Sequence, residues 1–171
     1  MALRNMRFGV TVDCDEVFVA WTVGDLDAKR RALSIPTNGV ERHHLLQSLV
    51  EQLFQGRKSN PAYIDELMEI AELHMQELPF LLSELERHDR LTRAAVGSPP
   101  GAFVRPGITT LKHLSDIHIE AGRLNLAVGV WRREHAIGAI DDDRLDEIIS
   151  NVTDQHRRQS QPRVSVRQKR R

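Results

Sequence analysis

The sequence has little that would support thiol chemistry or membrane insertion. Among its 171 residues there is one cysteine, Cys14, so an intramolecular disulfide is excluded. The carboxylates of Asp13 and Asp15 flank this cysteine and disfavour its thiolate, so we do not expect a nucleophile there. The longest apolar run near the beginning, residues 17–21, is too short for a bilayer span or a signal core. We therefore expect a cytoplasmic protein that does not bind membranes.

Recognisable catalytic motifs are also missing. No glycine-rich phosphate loop follows a predicted strand, and the His-Glu-x-x-His motif of zinc enzymes does not occur. His113, Asp116 and Glu120 fall on one face of a predicted helix, and Glu84 and His88 fall on one face of another. We interpret both groups as surface charge pairs, because a metal site needs at least three converging ligands. The sequence therefore predicts no catalytic residues, no cofactor, no metal and no enzyme activity.

The first 39 residues are predicted to contain two strands followed by a connector. The positions with period two are Phe8, Val10 and Val12, and then Val17, Val19, Trp21 and Val23. The polar stretch 13–16 separates the two groups. This pattern is typical of a β-hairpin, which must pack on other elements because two strands alone are marginal in water. Residues 24–39 are rich in turn formers and are predicted as a connector with one helical turn. Residues 1–39 are thus predicted as an N-terminal β-hairpin and connector.

From residue 40 onward the apolar period becomes that of α-helices. A first helix is predicted to stop at Gly56, and a second to begin at Asn60 and Pro61. We expect the second helix to bend or break at Pro79, which lacks a backbone donor. A loop rich in proline and glycine follows, and further helices are predicted over 109–121, 124–137 and 142–158. The predicted fold class is mainly α.

Two of these helices carry a family resemblance. The helices on either side of Gly122 place large and small residues in an order that resembles a tetratricopeptide repeat (TPR). His118 departs from the pattern where a large aromatic residue is usual, Ser115 where glycine is usual, and Glu134 where a small residue is usual. An irregular α-helical bundle remains the alternative. The resemblance is carried by Leu111, Leu114, Gly122, Leu124, Ala127 and Trp131, and in a weaker earlier unit by Leu46, Leu49, Val50, Leu53, Leu67 and Ala71.

The resemblance implies a TPR-like α-helical domain over residues 40–156 and a scaffold function. A protein of this kind is a non-enzymatic adaptor, which binds a protein or peptide partner in the concave groove formed by the first helix of each pair. The groove positions are more acidic than basic, so a basic or apolar peptide would suit them. A solvated helix face has the same polar composition. The implied groove residues are His44, Gln47, Glu51, Thr109, Lys112, Asp116 and Glu120.

The last segment, residues 157–171, is predicted as a basic, disordered tail. No acidic residue follows Asp154, so the tail concentrates positive charge in a chain whose formal net charge is zero. Basic residues without aromatic neighbours neutralise phosphates but do not stack on bases. The alternative function is therefore a nucleic-acid-associated accessory or regulatory protein. The residues concerned are Arg157, Arg158, Arg163, Arg167, Lys169, Arg170 and Arg171.

A truncation tests the role of the tail. We expect any affinity for DNA or RNA to be independent of sequence, to fall steeply with salt, and to disappear when residues 157–171 are removed. Fluorescence anisotropy with labelled oligonucleotides over a salt titration measures this. Equal affinity of the intact and truncated chains would assign the binding to the helical body instead.

Overall fold

The structure, a computed structural model, describes the backbone of residues 3–7 and 10–160 and the side chains of residues 15–154. This part of the chain is mainly helical, as predicted. Two short strands, β1 (Leu3–Arg7) and β2 (Val10–Cys14), pair antiparallel with Leu3 opposite Cys14. The helices are α1 (Glu16–Val23), α2 (Leu26–Ala32), α3 (Gly39–Gly56), α4 (Ala62–Ala95), α5 (Thr109–Glu120), α6 (Leu124–Ala136) and α7 (Asp142–Ser160).

The predicted N-terminal β-hairpin is wrong, because its expected second strand, residues 17–23, belongs to helix α1. The expected turn at 13–16 instead supplies the helix cap, where the Asp15 carboxylate accepts a hydrogen bond from the Phe18 backbone N–H at 2.7 Å. Val17 is buried whereas Val19 is exposed, although a strand would place both on the same face. The run is apolar at successive positions, so alternation alone could not separate strand from helix.

Helix α3 lies at the centre of the fold. On one side, Leu45 and Leu49 pack with the small residues of α1 and α2, such as Ala32. On the other side, Val50 and Leu53 pack into a larger cluster with residues of α4, α5 and α6. All four of these α3 side chains are fully buried. A single helix thus joins both hydrophobic clusters of the described chain.

Successive helices pack as pairs, α1–α2, α3–α4 and α5–α6, followed by α7. The first helices are neighbours, because α1 packs on α3 and α3 packs on α5. The second helix of each pair also packs on the next helix in the chain, since α2 contacts α3, α4 contacts α5 and α6 contacts α7. None of the helices in residues 15–160 is both long and apolar enough to cross a bilayer.

Helix α4 is much longer than its partner α3. It spans 34 residues and continues through Pro79, so the helix does not break there. Gly39, the first residue of α3, lies so close to α4 that a β-carbon added there would come within 2.7 Å of Glu84. The remainder of α4, residues 85–95, therefore runs past the start of α3 by about 16 Å. Residues 96–108 then return to α5 as a loop.

The α5–α6 turn has the geometry that its glycine predicts. Gly122 has a φ of 69°, and the Arg123 N–H donates to the His118 carbonyl at 2.7 Å while the Gly122 N–H donates to the Ile119 carbonyl at 2.9 Å. These two bonds form a Schellman motif, which ends α5 and reverses the chain. The three helices predicted after the loop agree with α5, α6 and α7 to within two residues.

A substitution at Ala127 tests the packing of this pair. Ala127 of α6 is fully buried, so Ala127→Arg would overpack the interface and bury a charge, and we expect a loss of about 3 kcal/mol or more. Urea unfolding followed by circular dichroism measures it. Ala136→Arg, at an exposed position of the same helix, is the control and should change stability little. Equal stability of the two variants would be inconsistent with this packing.

Candidate partner-binding surface

Several of the predicted groove residues hold α3 and α5 together. The Gln47 side-chain oxygen accepts hydrogen bonds from the Thr109 backbone N–H at 2.9 Å and from its hydroxyl at 3.2 Å. This contact caps the first turn of α5, whose N-cap residue, Ile108, has no side chain that can do so. One turn further along, Glu51 is 2.5 Å from Nε2 of His113. We call this row of contacts the α3–α5 seam.

The far end of the seam is built around a stack of side chains. The His113 ring stacks on Phe54 at a centroid distance of 3.9 Å, and the Arg57 guanidinium lies 3.6 Å from the centroid of the same phenyl ring. Arg57 also donates to both carboxylate oxygens of Glu120, the shorter distance being 2.7 Å. These hydrogen bonds lower the pKa of Glu120, and the bond from His113 lowers the pKa of Glu51.

The seam changes the interpretation of the predicted groove. Gln47 and Glu51 of α3 are bonded to α5, and Thr109 and Glu120 of α5 are bonded to α3 or its C-cap. Lys112 instead pairs with Asp116 on its own helix at 2.6 Å. The Lys112 side chain is 68% exposed and projects to solvent. Six of the seven predicted residues are thus brought together on adjacent helices, as a polar surface that is largely satisfied within the chain. The seventh, His44, is also on α3, but its ring faces Trp21 of α1 instead of α5.

His44 lines a groove that opens where α4 runs past α3, which we call the overhang groove. Its volume is about 840 Å³. The His44 ring stacks on Trp21 at 4.7 Å between centroids, and the Trp21 N–H donates to Glu41 at 2.6 Å. Polar residues at the groove include His88 and the Asp89–Arg93 ion pair. Its apolar lining comes from four elements and includes Trp21, Val40, Leu85, Val96, Phe103 and Val104.

Sequence reasoning found His44 but missed the rest of the overhang groove. Its residues come from α1, α3, the end of α4 and the following loop, which are far apart in the sequence. The loop sequence contains one indication of this groove. Phe103 and Val104 are large apolar residues in a segment otherwise rich in glycine and proline. Val104 is 80% exposed. An exposed aliphatic side chain beside a groove is typical of an interaction site when other apolar residues adjoin it.

A chain of buried polar groups ties α3, α4 and α5 together behind the seam. His43 Nδ1 is 3.0 Å from His74 Nε2, and His74 Nδ1 is 2.8 Å from the Thr110 hydroxyl. All three residues are fully buried, and among the described residues Nε2 of His43 has no hydrogen-bond partner. Burial lowers the pKa of His43 to about 4, with a smaller contribution from His44. Burial likewise lowers the pKa of His74 to about 3, with smaller contributions from His43 and Arg42.

The acidic and histidine side chains that could suggest a metal are used separately. His113 contacts Glu51, Asp116 contacts Lys112, and Glu120 contacts Arg57. Glu84 pairs with Arg87 at 2.7 Å. Across residues 15–154 no three metal-binding side chains converge on a common point.

The tail residues lie outside the part of the chain whose side chains are described. Residues 157 and 158 fall in the last turns of α7, for which only the backbone is described, and the others follow the last described residue. The prediction that the tail binds nucleic acid therefore stays a prediction. It concerns Arg157, Arg158, Arg163, Arg167, Lys169, Arg170 and Arg171.

Two of the buried histidines, His43 and His74, predict a pH dependence of stability. Their pKa values are lowered in the folded state. Below pH 6.5, the ordinary pKa of histidine, the unfolded chain therefore binds protons at these two rings while the folded chain does not. The contribution of these histidines to the free energy of unfolding should be fully present above pH 6.5. It should fall as the pH drops towards 4, by up to about 1.4 kcal/mol per pH unit for each histidine.

Urea unfolding between pH 7.5 and 5 measures this slope above the range in which most carboxylates titrate. Nuclear magnetic resonance of the imidazole protons should show His43 and His74 neutral at pH 5. A flat stability profile, or protonated rings at that pH in the folded protein, would contradict the buried chain.

Comparison with known proteins adds no relative to this description. No protein-family model matches the chain, and neither a curated protein nor a solved structure is similar to it at a significant level.

Proposed function

We propose that this protein is a non-enzymatic adaptor that binds a peptide segment of a partner protein. The overhang groove is the observation that carries the proposal. It combines a volume of about 840 Å³ with apolar walls supplied by four elements of the fold. Grooves of this size, with apolar walls and a few placed polar groups, are typical of binding sites in proteins.

An apolar anchor is the ligand feature that best fits the overhang groove. Each apolar side chain placed against Trp21, Leu85 and Val104 would remove apolar surface from water, at about 25 cal/mol for each Å². The Asp89–Arg93 pair and His88 at the groove can orient the flanking peptide backbone, because placed charges contribute to specificity more than to affinity. The partner segment is therefore one with a large aliphatic or aromatic residue between polar residues.

The order of the helices supports the same function. In α1, α3 and α5 the first helices of successive pairs are neighbours, and each second helix packs on the next first helix. This is the arrangement expected of a TPR-like scaffold, in which the first helices line the concave surface. The partner segment would leave the overhang groove at His44 and continue over α5 beside the seam, where Lys112 is exposed and pairs with the half-buried Asp116. The residues bonded across the seam chiefly stabilise the scaffold.

Two valines of nearly equal exposure provide a matched test. Val104 lines the overhang groove and is 80% exposed, whereas Val23 is 79% exposed at the end of α1 and does not line the groove. A photo-crosslinking amino acid at position 104, in the cells that make the protein, should capture a partner that the same residue at position 23 does not. Mass spectrometry of the product identifies the partner segment.

The affinity of that segment then tests the groove directly. We expect Val104→Asp to weaken binding by about tenfold or more, and Val23→Asp to leave it unchanged. Trp21 lines the groove, so its fluorescence should change when the segment binds. No specific product at position 104, or full affinity of the Val104→Asp variant, would rule out the overhang groove as the site.

A further inference from the structure

A second groove lies between α4 and α6. It consists of two adjoining cavities of about 320 and 590 Å³, which share the lining residues Ala136 and Ile137. Along α4 its lining extends from Glu72 to Glu86, a length of about 21 Å. We call it the α4–α6 groove. It exists because α4 and α6 both pack on α5, and its floor reaches the core residues Leu78 and Leu111.

The two walls of this groove carry opposite charges. Glu72 and Glu86 belong to the α4 wall, whereas Arg133 of α6 and Arg105 of the loop before α5 supply the positive charges of the other wall. At one end the walls approach each other, and Arg133 lies 3.4 Å from Glu72. Both side chains of that pair are more than half exposed, so a ligand can compete for them. A ligand that fits needs acidic groups along one edge and basic groups along the other.

The backbone chemistry of the groove favours a helical ligand. Its walls are helices and a loop, and the floor of the 320 Å³ cavity is mainly apolar, with Leu78, Leu111 and Ile137 among its residues. Polar side chains, Ser83 and Arg105 among them, line the 590 Å³ cavity. An extended peptide would bury unpaired N–H and C=O groups against such a floor, whereas a helix satisfies its own. The length of the groove corresponds to about 14 residues of α-helix.

We infer that the α4–α6 groove is a second binding site, which takes an amphipathic α-helix of a partner protein. The helix presents an apolar stripe to Leu78 and Ile137. Acidic residues on one edge of the stripe face Arg133 and Arg105, and basic residues on the other edge face Glu72 and Glu86. This inference goes beyond the proposed function and does not depend on it. A protein with both sites can bridge two partners.

Synthetic helical peptides of about 18 residues test the site, with binding measured by fluorescence anisotropy. The matched peptide has a leucine stripe with one acidic and one basic edge. A second peptide has the same composition, but its leucines are distributed around the helix. A third has the leucine stripe and two basic edges. We expect the intact protein to bind the matched peptide most tightly, and binding of none of them would overturn the inference.

Variants of the protein locate the binding. Ala136 is exposed and lines both cavities, so Ala136→Trp should block the groove and weaken the matched peptide by about tenfold or more. Ala121→Trp, at an exposed position outside the groove, is the steric control. The Val104→Asp variant should bind the helix as well as the intact protein does, which separates this site from the overhang groove. Equal effects of the two tryptophan substitutions would overturn the assignment.

Reversal of one wall tests the charge pattern. In an Arg105→Glu, Arg133→Glu variant both walls are acidic, so the matched peptide should lose affinity and the peptide with two basic edges should gain it. Arg132→Glu changes the charge at an exposed position of the same helix outside the groove, and should leave the preference unchanged. Circular dichroism confirms that each variant is folded. An unchanged order of affinities in the reversed variant would overturn the inference.

Discussion

The burial of α3 on two sides is the constraint on which the rest of the structure depends. Leu45 and Leu49 fix the first helix pair, and Val50 and Leu53 fix the later ones. Because these side chains have no exposure to solvent, α3 can neither rotate nor slide without opening a cavity in one cluster or the other. Both the seam and the overhang groove take their position from this helix. The α3 residues of the seam and of the overhang groove are therefore held in place by the core beneath them.

Much of the helical part could be predicted from the sequence, and the reasons are local. Apolar residues recur at helical spacing in α3, α5, α6 and α7, and Gly122 requires a conformation that ends a helix. Helix α1 could not be predicted in this way, since its residues are apolar at successive positions and only tertiary burial distinguishes their faces. The cap at Asp15 was interpreted as a turn, because the same residue types serve both purposes.

The candidate sites were less predictable because they depend on distances between elements. Spacing placed Glu51 and Thr109 on polar helix faces, but it could not show that the partners of those faces lie on the neighbouring helix rather than on another protein. The overhang groove depends on the difference in length between α3 and α4 and on the close approach at Gly39. Neither the difference in helix length nor the close approach produces a periodic pattern in the sequence. A polar helix face in such a scaffold is therefore ambiguous until its neighbours are known.

Phe103 lines both grooves, so a single side chain is common to the two proposed sites. The ring is partly buried, and the loop that carries it is otherwise largely exposed. Displacement of the ring by a ligand in one groove would alter the volume of the other. Occupancy of the two sites would then be energetically coupled, and the effect of each ligand on the other would be equal by thermodynamic linkage. The sign of the coupling depends on the direction in which the ring moves.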